Sequence, residues 1–600
     1  MIRWRFGRRE TPRPSPAASA PPAASAPAAD AAARAQVDAM LARGRRQMQD
    51  RRYEAAIATF EAILAIDPLQ LEANYGRANA SFAAGRFDDA KAACGAALAR
   101  LAGQPDLLML AGAIDAHRHE PLEALAHFET ARAANPTLAG IDERIGEQLA
   151  FLGRGRESIA AYDRAIGRQP GNLVLESCRL FLLNHFGLLD RAALAEEHRR
   201  WGERLEASVA AMRRPHHNDR DPERRLRVGF VSPDLRNHPV AYWLESYLVA
   251  HDPARYEAHA FDVSPYAEDD VTRRLRTRFE RWYRCASMSH DELADTVRGQ
   301  RIDVLIDLAG HTGHHRLATF ARKPAPVQVS WFGYMNTTGL ATIDWRLTDA
   351  AHDPPGSEAY YAEKLWRLPS VAAFTPDPRS PEPGDPPFLR NGHVTFASAN
   401  NYAKVNEPVK DAWAAILRGA PASRLRLIVR GGDEARVAEA VRADYVARGV
   451  DAGRIDILPF LPIERFLAFL AEADVALDPF PYGGGTTTLH TLWMGVPIVA
   501  LKGDSEMARA TPAALAGLGL PQFACGSVDA YVDFATALAR DPAALPTLRA
   551  TLRERLRASG AMDYRSFARS VEDAFRGMWR AFCEASPTPP PSAFTSSPRA

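Results

Sequence analysis

The chain has 600 residues, of which 46% are hydrophobic and 24% are charged, and its formal net charge is +1. This length exceeds what one hydrophobic core supports, so we expect roughly two to four domains. The near-zero net charge excludes a long-range basic field, so we expect no nucleic-acid binding, and the lack of an apolar run of about 18 residues predicts no membrane span. The five cysteines are scattered without metal-binding spacing, which is typical of reduced thiols in a cytoplasmic protein.

Both ends of the chain are predicted to be disordered. Residues 1–34 begin with the basic sequence MIRWRFGRRE and continue as a run rich in Pro, Ala and Ser, without the apolar segment of a signal peptide. Residues 586–600 (SPTPPPSAFTSSPRA) have the same character. Such compositions bury too little apolar surface to fold.

Residues 35–172 repeat with a period of 34. Two small residues and one larger residue recur in phase, at Gly44, Ala78, Gly112 and Gly146, at Ala56, Ala90, Ala124 and Ser158, and at Phe60, Cys94, Phe128 and Tyr162. Small residues let the two helices of a unit cross closely, and the larger residue fills the gap to the next unit. The pattern resembles the tetratricopeptide repeat, a solenoid whose groove holds an extended polypeptide. A dimerisation or scaffold surface is the alternative, so homo-oligomers through the repeats remain open.

Residues 173–222 are predicted to form a helical connector. From residue 223 onward, short β-rich runs such as RLRVGFVS, DVLIDLAG and PVQVSWFGY alternate with helical segments. This alternation predicts parallel sheets with helices on both faces. A Pro/Gly-rich bridge at residues 375–392 divides the series into two lobes, residues 223–380 and 381–585. The predicted fold is therefore an α-solenoid followed by two Rossmann-like α/β lobes, with a ligand in the cleft between them.

The segment LDPFPYGGGTTTLHTLWMGVPIV, residues 477–499, reads as a strand, a glycine loop and a helix. Glycines 483–485 let the backbone approach a ligand closely, because no Cβ intervenes. The following threonines 486–488 open a helix whose free N–H groups and dipole attract phosphate oxygens. The segment could hold the diphosphate of an activated sugar, and an ordinary glycine-rich turn is the alternative.

Other strand ends also carry polar residues. His238 follows the strand in VGFVSPDLRNHP, and Lys404 follows the strand in FASANNYAKVNEP, where an ammonium could reach a phosphate. The segment DLAGHTGHHR holds His311, His314 and His315, but without the helical spacing of a metal site. No Asp-x-Asp sequence follows a strand, so we predict no metal.

The repeats followed by RVGFVSPDLRNHP, PAPVQVSWFGYMNTTG, FASANNYAKVNEP and LDPFPYGGGTTTLHTLWMGVP resemble the protein O-GlcNAc transferase family, also called SPINDLY-like or glycosyltransferase family 41. The resemblance spans about residues 35–583. It implies a GT-B fold of two Rossmann-like lobes, with the nucleotide-sugar held mainly by the C-terminal lobe. It also implies inverting, metal-independent and cofactor-free transfer of a sugar, favouring GlcNAc from UDP-GlcNAc, to Ser or Thr of a protein acceptor held by the repeats.

The resemblance also implies roles for individual residues. Lys404 matches the lysine that stabilises the leaving diphosphate, and Thr486–Thr487 match the phosphate-binding turn. His238 matches a histidine beside the sugar and the acceptor, which is often proposed as the base. Asn401 aligns with a sugar-contacting glutamine, and Gly333 lies on a loop that lines the sugar pocket.

Several donor-site positions depart from the family pattern. Gly485 stands where animal members have histidine, and His490 stands where an acidic residue usually binds the ribose. Phe466 stands where a histidine often stacks on the base, and Ile463 and Phe469 stand where some relatives have basic residues. UDP-glucose or GDP-fucose therefore remain alternative donors. A catalytically decayed repeat adaptor that only binds nucleotide-sugar is the alternative from another functional class.

Overall fold

The computed structural model describes residues 28–585, with side chains from residue 34 onward. The predicted tails at residues 1–27 and 586–600 lie outside this range. Helix α1 (Ala28–Gln49) includes residues 28–34, so the prediction of a disordered segment is wrong there. The reason is local, because the sequence AADAAARA consists largely of strong helix formers.

Seven further helices follow α1 and form a solenoid of antiparallel pairs. They are α2 (Tyr53–Ile66), α3 (Leu71–Ala83), α4 (Phe87–Arg100), α5 (Pro105–His117), α6 (Pro121–Ala134), α7 (Ile141–Phe151) and α8 (Gly155–Arg168). A Cβ on Gly112 would lie 2.5 Å from the Phe128 ring, and one on Gly146 would lie 2.7 Å from the Tyr162 ring. The in-phase small and aromatic residues therefore pack on each other, as the 34-residue period predicts.

A two-helix connector joins the solenoid to the first lobe. It comprises α9 (Leu173–Phe186) and α10 (Arg191–Val209). The indole N–H of Trp201 on α10 donates to the Leu173 carbonyl at 2.9 Å. A Cβ on Gly202 would lie 1.8 Å from the Gly339 carbonyl oxygen, so α10 packs directly against the backbone of the first lobe.

The N-terminal lobe contains a seven-stranded parallel sheet in the order β3-β2-β1-β4-β5-β6-β7. Its elements are β1 (Leu226–Ser232), α11 (Pro239–Leu248), β2 (Tyr256–Asp262), α12 (Asp270–Arg276), β3 (Arg281–Arg284), α13 (His290–Gly299), β4 (Val304–Asp307), α14 (Leu317–Ala321), β5 (Val327–Ser330), β6 (Trp345–Asp349) and β7 (Lys364–Leu368). Strands β1 and β4 pair with Val228 opposite Val304. The strand order reverses between them.

The C-terminal lobe contains a six-stranded parallel sheet in the order β10-β9-β8-β11-β12-β13. Its elements are α15 (Phe388–Asn391), β8 (Thr395–Ser398), α16 (Glu407–Gly419), β9 (Arg424–Ile428), α17 (Ala435–Val446), β10 (Ile455–Leu458), α18 (Ile463–Ala471), β11 (Val475–Leu477), α19 (Thr486–Trp493), β12 (Ile498–Leu501), α20 (Glu506–Gly517), β13 (Ala524–Cys525), α21 (Val528–Arg540) and α22 (Leu545–Ala558). Here the order reverses between β8 and β11, which pair with Phe396 opposite Val475.

The last helix, α23 (Tyr564–Glu584), returns to the N-terminal lobe. Its buried face, which includes Phe575 and Trp579, belongs to the core of that lobe. The Tyr256 hydroxyl donates to the Glu572 carbonyl at 2.7 Å. The prediction that all of residues 381–585 belong to the C-terminal lobe is therefore wrong for this helix, because the core of the N-terminal lobe covers its apolar face. The solenoid followed by two Rossmann-like lobes is otherwise as predicted.

The solenoid also contacts the C-terminal lobe. The Arg430 guanidinium lies 4.8 Å from the centroid of the Phe151 ring, and its Nη1 is 2.7 Å from His119 Nδ1. The helical part of the chain is thus packed on both lobes, the connector through α10 on the N-terminal lobe and the repeats on the loop after β9. Within residues 28–585, no helix is both long and apolar enough to cross a bilayer.

Candidate active site

A cleft of about 2240 Å³ lies between the two lobes. Its walls come from the loops after β1 and β5 in the N-terminal lobe and from those after β8 and β11 in the C-terminal lobe. In the N-terminal sheet β1 flanks the point where the strand order reverses, and in the C-terminal sheet both β8 and β11 do. Ligands of open α/β sheets bind outside the carboxyl ends of strands at such switch points. The fold therefore places the cleft where a ligand is expected.

The glycine loop is built over a buried carboxylate. Asp478 directly follows β11, and its Oδ1 accepts a hydrogen bond from the Gly484 N–H at 2.8 Å. A Cβ on Gly483 would lie 2.5 Å from Asp478 Oδ2, whereas a Cβ on Gly485 would have no heavy atom of the described residues within 4 Å, apart from its chain neighbours. Gly483 is thus required by Asp478, and Gly484 mainly by Thr488, whose Oγ1 would lie 2.3 Å from a Cβ there, whereas Gly485 leaves open space on the cleft side.

The threonines after the loop face different partners. Thr486 Oγ1 accepts a hydrogen bond of 2.9 Å from the indole N–H of Trp243, which lies on α11 of the other lobe. Thr487 lines the cleft, and Thr488 is buried with its hydroxyl 2.9 Å from that of Thr511. The N-terminal turn of α19 therefore opens into the cleft and is held by the N-terminal lobe.

Lys404 reaches the same loop from the segment that follows β8. Its Nζ donates to the Gly483 carbonyl at 2.7 Å and to Asn400 Oδ1 at 3.3 Å, and it lies 4.9 Å from the centroid of the Tyr482 ring. Burial lowers the pKa of Lys404 to about 8, against the opposing charge of Asp478. Asn401, whose Oδ1 accepts from the Ala403 N–H at 3.2 Å, also lines the cleft. The structure therefore brings an ammonium group beside the glycine loop, and its role there remains a prediction.

The facing wall carries His238 and Gly333. His238 is the N-cap of α11, and its Nδ1 accepts from the Val240 N–H at 3.3 Å. The Asp234 carboxylate lies 3.7 Å from the same nitrogen, and burial raises the pKa of Asp234 to about 6. A Cβ on Gly333 would lie 1.9 Å from the Leu308 carbonyl oxygen, so only glycine lets the loop after β5 pack against the backbone at Leu308.

The far end of the cleft is aromatic. The ring of His490 contacts Phe374 at 5.3 Å and Phe466 at 6.2 Å between centroids, edge to face in both cases. Burial lowers the pKa of His490 to about 4, so the ring is neutral near pH 7. Ile463 lines the same wall, whereas Phe469 is buried in the core of the lobe below Arg426. Aromatic side chains at this end of the cleft could stack on the flat face of a nucleotide base.

The histidines after β4 have a different setting. The Ser177 hydroxyl lies 2.8 Å from His311 Nδ1 and 2.9 Å from His315 Nε2, and His311 Nε2 lies 3.0 Å from the Thr338 carbonyl. They therefore join the connector to the N-terminal lobe. No group of three or more His, Cys, Asp or Glu side chains that could hold a metal ion occurs in the described part of the chain.

The sequence pointed to some of these residues and missed others. Asp478 and Asp234 each follow a buried strand, which is a signal that the sequence analysis did not use. Trp243 carries no sequence signal, because its partner lies 243 positions away. Lys404 and the glycine loop do come together in space.

Comparisons with known proteins agree with this geometry. Residues 181–379 and 388–571 match the family model "Glycosyl transferase family 41", and residues 47–114 match a tetratricopeptide repeat model. The chain is 35% identical over 412 residues to a Petunia hybrida protein named "Probable UDP-N-acetylglucosamine--peptide N-acetylglucosaminyltransferase SPINDLY". The matched region is 68% of this chain and 44% of the Petunia protein. The chain is 36% identical over 414 residues to the Arabidopsis thaliana protein of the same name, with 68% and 45% coverage. The chain thus spans less than half the length of these relatives.

The fold is also similar to a solved structure. A variant of the Thermobaculum terrenum O-GlcNAc transferase superposes with a TM-score of 0.78 at 34% identity, covering 86% of this chain and 98% of that one. The solenoid, the connector and both lobes therefore occur together in that protein.

Proposed function

Because the chain belongs to glycosyltransferase family 41, we propose that it is a protein O-glycosyltransferase, which transfers a sugar from a nucleotide diphosphate to serine or threonine. The observation that carries the proposal is that the Lys404 ammonium binds the glycine loop at the Gly483 carbonyl, and that Lys404, Gly485 and the first turn of α19 line the same cleft. Breaking the anomeric bond leaves negative charge on the diphosphate. Preplaced donors at that position stabilise the transition state, and each typically contributes about 2.7–4 kcal/mol.

The proposed charge stabilisation uses groups of the chain itself. The ammonium of Lys404 and the N–H groups of residues 485–487 would meet the diphosphate oxygens, as helix N-termini do for phosphates. We therefore propose that transfer requires neither a metal nor a cofactor. Attack from the opposite wall, where His238 stands, would place the acceptor hydroxyl in line with the leaving group and invert the anomeric centre.

The part played by His238 depends on its protonation. While Nδ1 accepts the Val240 N–H, the proton of the neutral ring is on Nε2, so the ring donates toward the acceptor. A role as general base requires the proton on Nδ1, with Asp234 as its partner 3.7 Å away. The Asp234→Asn variant separates the two, because it should reduce turnover only if the carboxylate supports the base.

The favoured donor is UDP-GlcNAc, which the names of the plant relatives specify. The neutral His490 at the ribose position and the aromatic wall at Phe466 keep GDP-fucose as an alternative, since neither residue selects a base by charge. UDP-glucose, which shares the base of UDP-GlcNAc, is the other alternative. We propose that the repeats hold the acceptor polypeptide, because they contact the C-terminal lobe at Arg430, through Phe151 and His119.

The test is an assay of the full-length chain with several nucleotide-sugars and a library of Ser/Thr peptides. Release of the nucleoside diphosphate and the mass of the peptide are measured, with and without EDTA. We expect turnover with one donor, unaffected by EDTA and lost by roughly 10²-fold or more in Lys404→Ala. Lys502→Ala, at an exposed lysine of the same lobe, is the control and should be unaffected. Donor binding without turnover in the wild type would favour a decayed adaptor, and near-normal turnover of Lys404→Ala would remove the leaving-group site.

A further inference from the structure

A buried histidine of the connector forms part of the cleft wall. His185 lies near the end of α9 and is 3% exposed. Its ring is held between Phe181, Phe186 and Tyr482, with centroid distances of 5.7, 5.3 and 4.8 Å. Neither ring nitrogen has a hydrogen-bond partner among residues 28–585.

Such a group requires an explanation. A buried donor or acceptor without a partner typically costs about 1–3 kcal/mol, and native proteins contain few of them. Burial and the nearby Lys404 charge lower the pKa of His185 to about 3, so the ring stays neutral at physiological pH. A neutral imidazole has one N–H donor and one lone pair. Its natural partners are hydroxyl groups, which both donate and accept, whereas an anion would satisfy only the donor.

The order of groups along the cleft indicates which part of a bound ligand would supply hydroxyl groups to His185. The aromatic wall at His490 lies one helical turn from Thr486, and the glycine loop follows with Lys404 bound to the Gly483 carbonyl. Lys404 in turn lies over the Tyr482 ring, whose other neighbour is His185. A nucleotide-sugar has the order base, ribose, diphosphate, sugar. With the base at the aromatic wall and the diphosphate at Lys404, the sugar falls beside Tyr482 and His185.

We propose that His185 binds hydroxyl groups of the transferred sugar and thereby contributes to donor selection. The inference rests on the proposed function, because it needs a nucleotide-sugar in the cleft. It assigns a specificity role to the connector, which is a part of the chain outside both Rossmann-like lobes. The alternative is that His185 serves only as an aromatic packing residue between α9 and the glycine loop.

The experiment compares binding of a nucleoside diphosphate with binding of its sugar conjugate. Isothermal titration calorimetry is run with UDP and UDP-GlcNAc, and with GDP and GDP-fucose, on the wild type, His185→Phe and His185→Gln. In His185→Phe we expect the affinity for the diphosphate alone to change less than about twofold. Its affinity for the sugar conjugate should fall about 5- to 30-fold, which corresponds to one or two neutral hydrogen bonds. His185→Gln retains a donor and an acceptor and should recover most of the loss.

The melting temperature of the ligand-free protein provides the structural control. Removing an unpartnered buried polar group should leave this temperature unchanged or raise it, so a loss of sugar affinity would not reflect unfolding. An equal loss for diphosphate and conjugate, or no loss for either, would overturn the assignment while leaving the proposed function intact. If the wild type binds no nucleotide at all, the proposed function fails and the assignment fails with it.

Discussion

Replacing Gly484 with alanine should disrupt the glycine loop, whereas the same change at Gly485 should not. A Cβ on Gly484 would lie 2.3 Å from Thr488 Oγ1 and 3.2 Å from Asp478 Oδ1. A Cβ on Gly485 would point into open space, and the φ of −120° at that residue lies outside the left-handed region. The two neighbouring glycines thus form a matched pair that differs only in what lies behind them.

The size of the effect follows from these contacts. Thr488 Oγ1 would have to move by about 1 Å, but its hydroxyl is buried and bonded to that of Thr511 at 2.9 Å. Overpacking of this kind typically costs about 1–3 kcal/mol. A 1 Å displacement at a reacting site can also reduce turnover by about 10²-fold. Gly485→Ala should cost less than Gly484→Ala, because its Cβ would meet no heavy atom of the described residues within 4 Å apart from its chain neighbours.

The assay is differential scanning calorimetry of both variants, together with titration of the nucleoside diphosphate. For a lobe of this size, 1 kcal/mol corresponds to about 2–4 °C in melting temperature. We expect Gly484→Ala to melt below the wild type and to bind the diphosphate more weakly, and Gly485→Ala to melt above Gly484→Ala. If Gly485→Ala were the more destabilised of the two, or if Gly484→Ala matched the wild type in both measurements, the packing argument would be refuted.

Three further predictions concern hydrogen bonds and titration. Because the pKa of Lys404 is lowered to about 8 by burial and only the ammonium form attracts an anion, the affinity for a nucleoside diphosphate should fall about tenfold from pH 7 to pH 9. Calorimetry of Lys404→Met should show no such slope. Trp243→Phe removes a 2.9 Å hydrogen bond between the lobes and should weaken nucleotide binding about 2- to 13-fold. Trp282→Phe, whose indole N–H has no partner in the described part of the chain, is the control. Burial and the neighbouring Glu123 raise the pKa of Glu434 to about 7, above its unfolded value, so its stabilising contribution is present at low pH and lost as pH rises through 7. The fall in melting temperature between pH 5 and pH 8 should therefore be smaller in Glu434→Gln, and an equal fall would contradict this reasoning.

The sequence was sufficient for features whose contacts are local or periodic. The repeats could be predicted because Gly112 meets Phe128 within a single unit, and the same pairing recurs at Gly146 and Tyr162. The two lobes followed from strands alternating with helices, a pattern that each βαβ unit carries by itself. Both predictions depend on residues that lie near one another in the chain.

The missed features join residues far apart in sequence. The return of α23 to the N-terminal lobe depends on which core covers its apolar face, and periodicity shows only that such a face exists. In the site, the hydrogen bond from Trp243 and the place of His185 in the cleft wall arise only when three parts of the chain assemble. The roles predicted for Lys404 and His238 came from family resemblance. The geometry adds the hydrogen-bond partners of these two side chains, but it does not measure their contribution to catalysis.

A buried ion pair shows how the assembly keeps these residues aligned. Arg346 on β6 donates from Nη2 to Glu506 Oε2 at 2.5 Å, and both side chains are almost fully buried between the lobes. Such pairs are often no more stabilising than apolar residues of similar size, but losing one partner costs about 3–5 kcal/mol, so they favour one docking geometry over others. Glu506 begins α20, and the carbonyl of the next residue, Met507, lies directly behind Gly483. The N-terminal lobe therefore holds the glycine loop from behind through Arg346 and in front through Trp243. The position of the glycine loop is consequently defined relative to the wall that carries His238, as the proposed in-line transfer across the cleft requires.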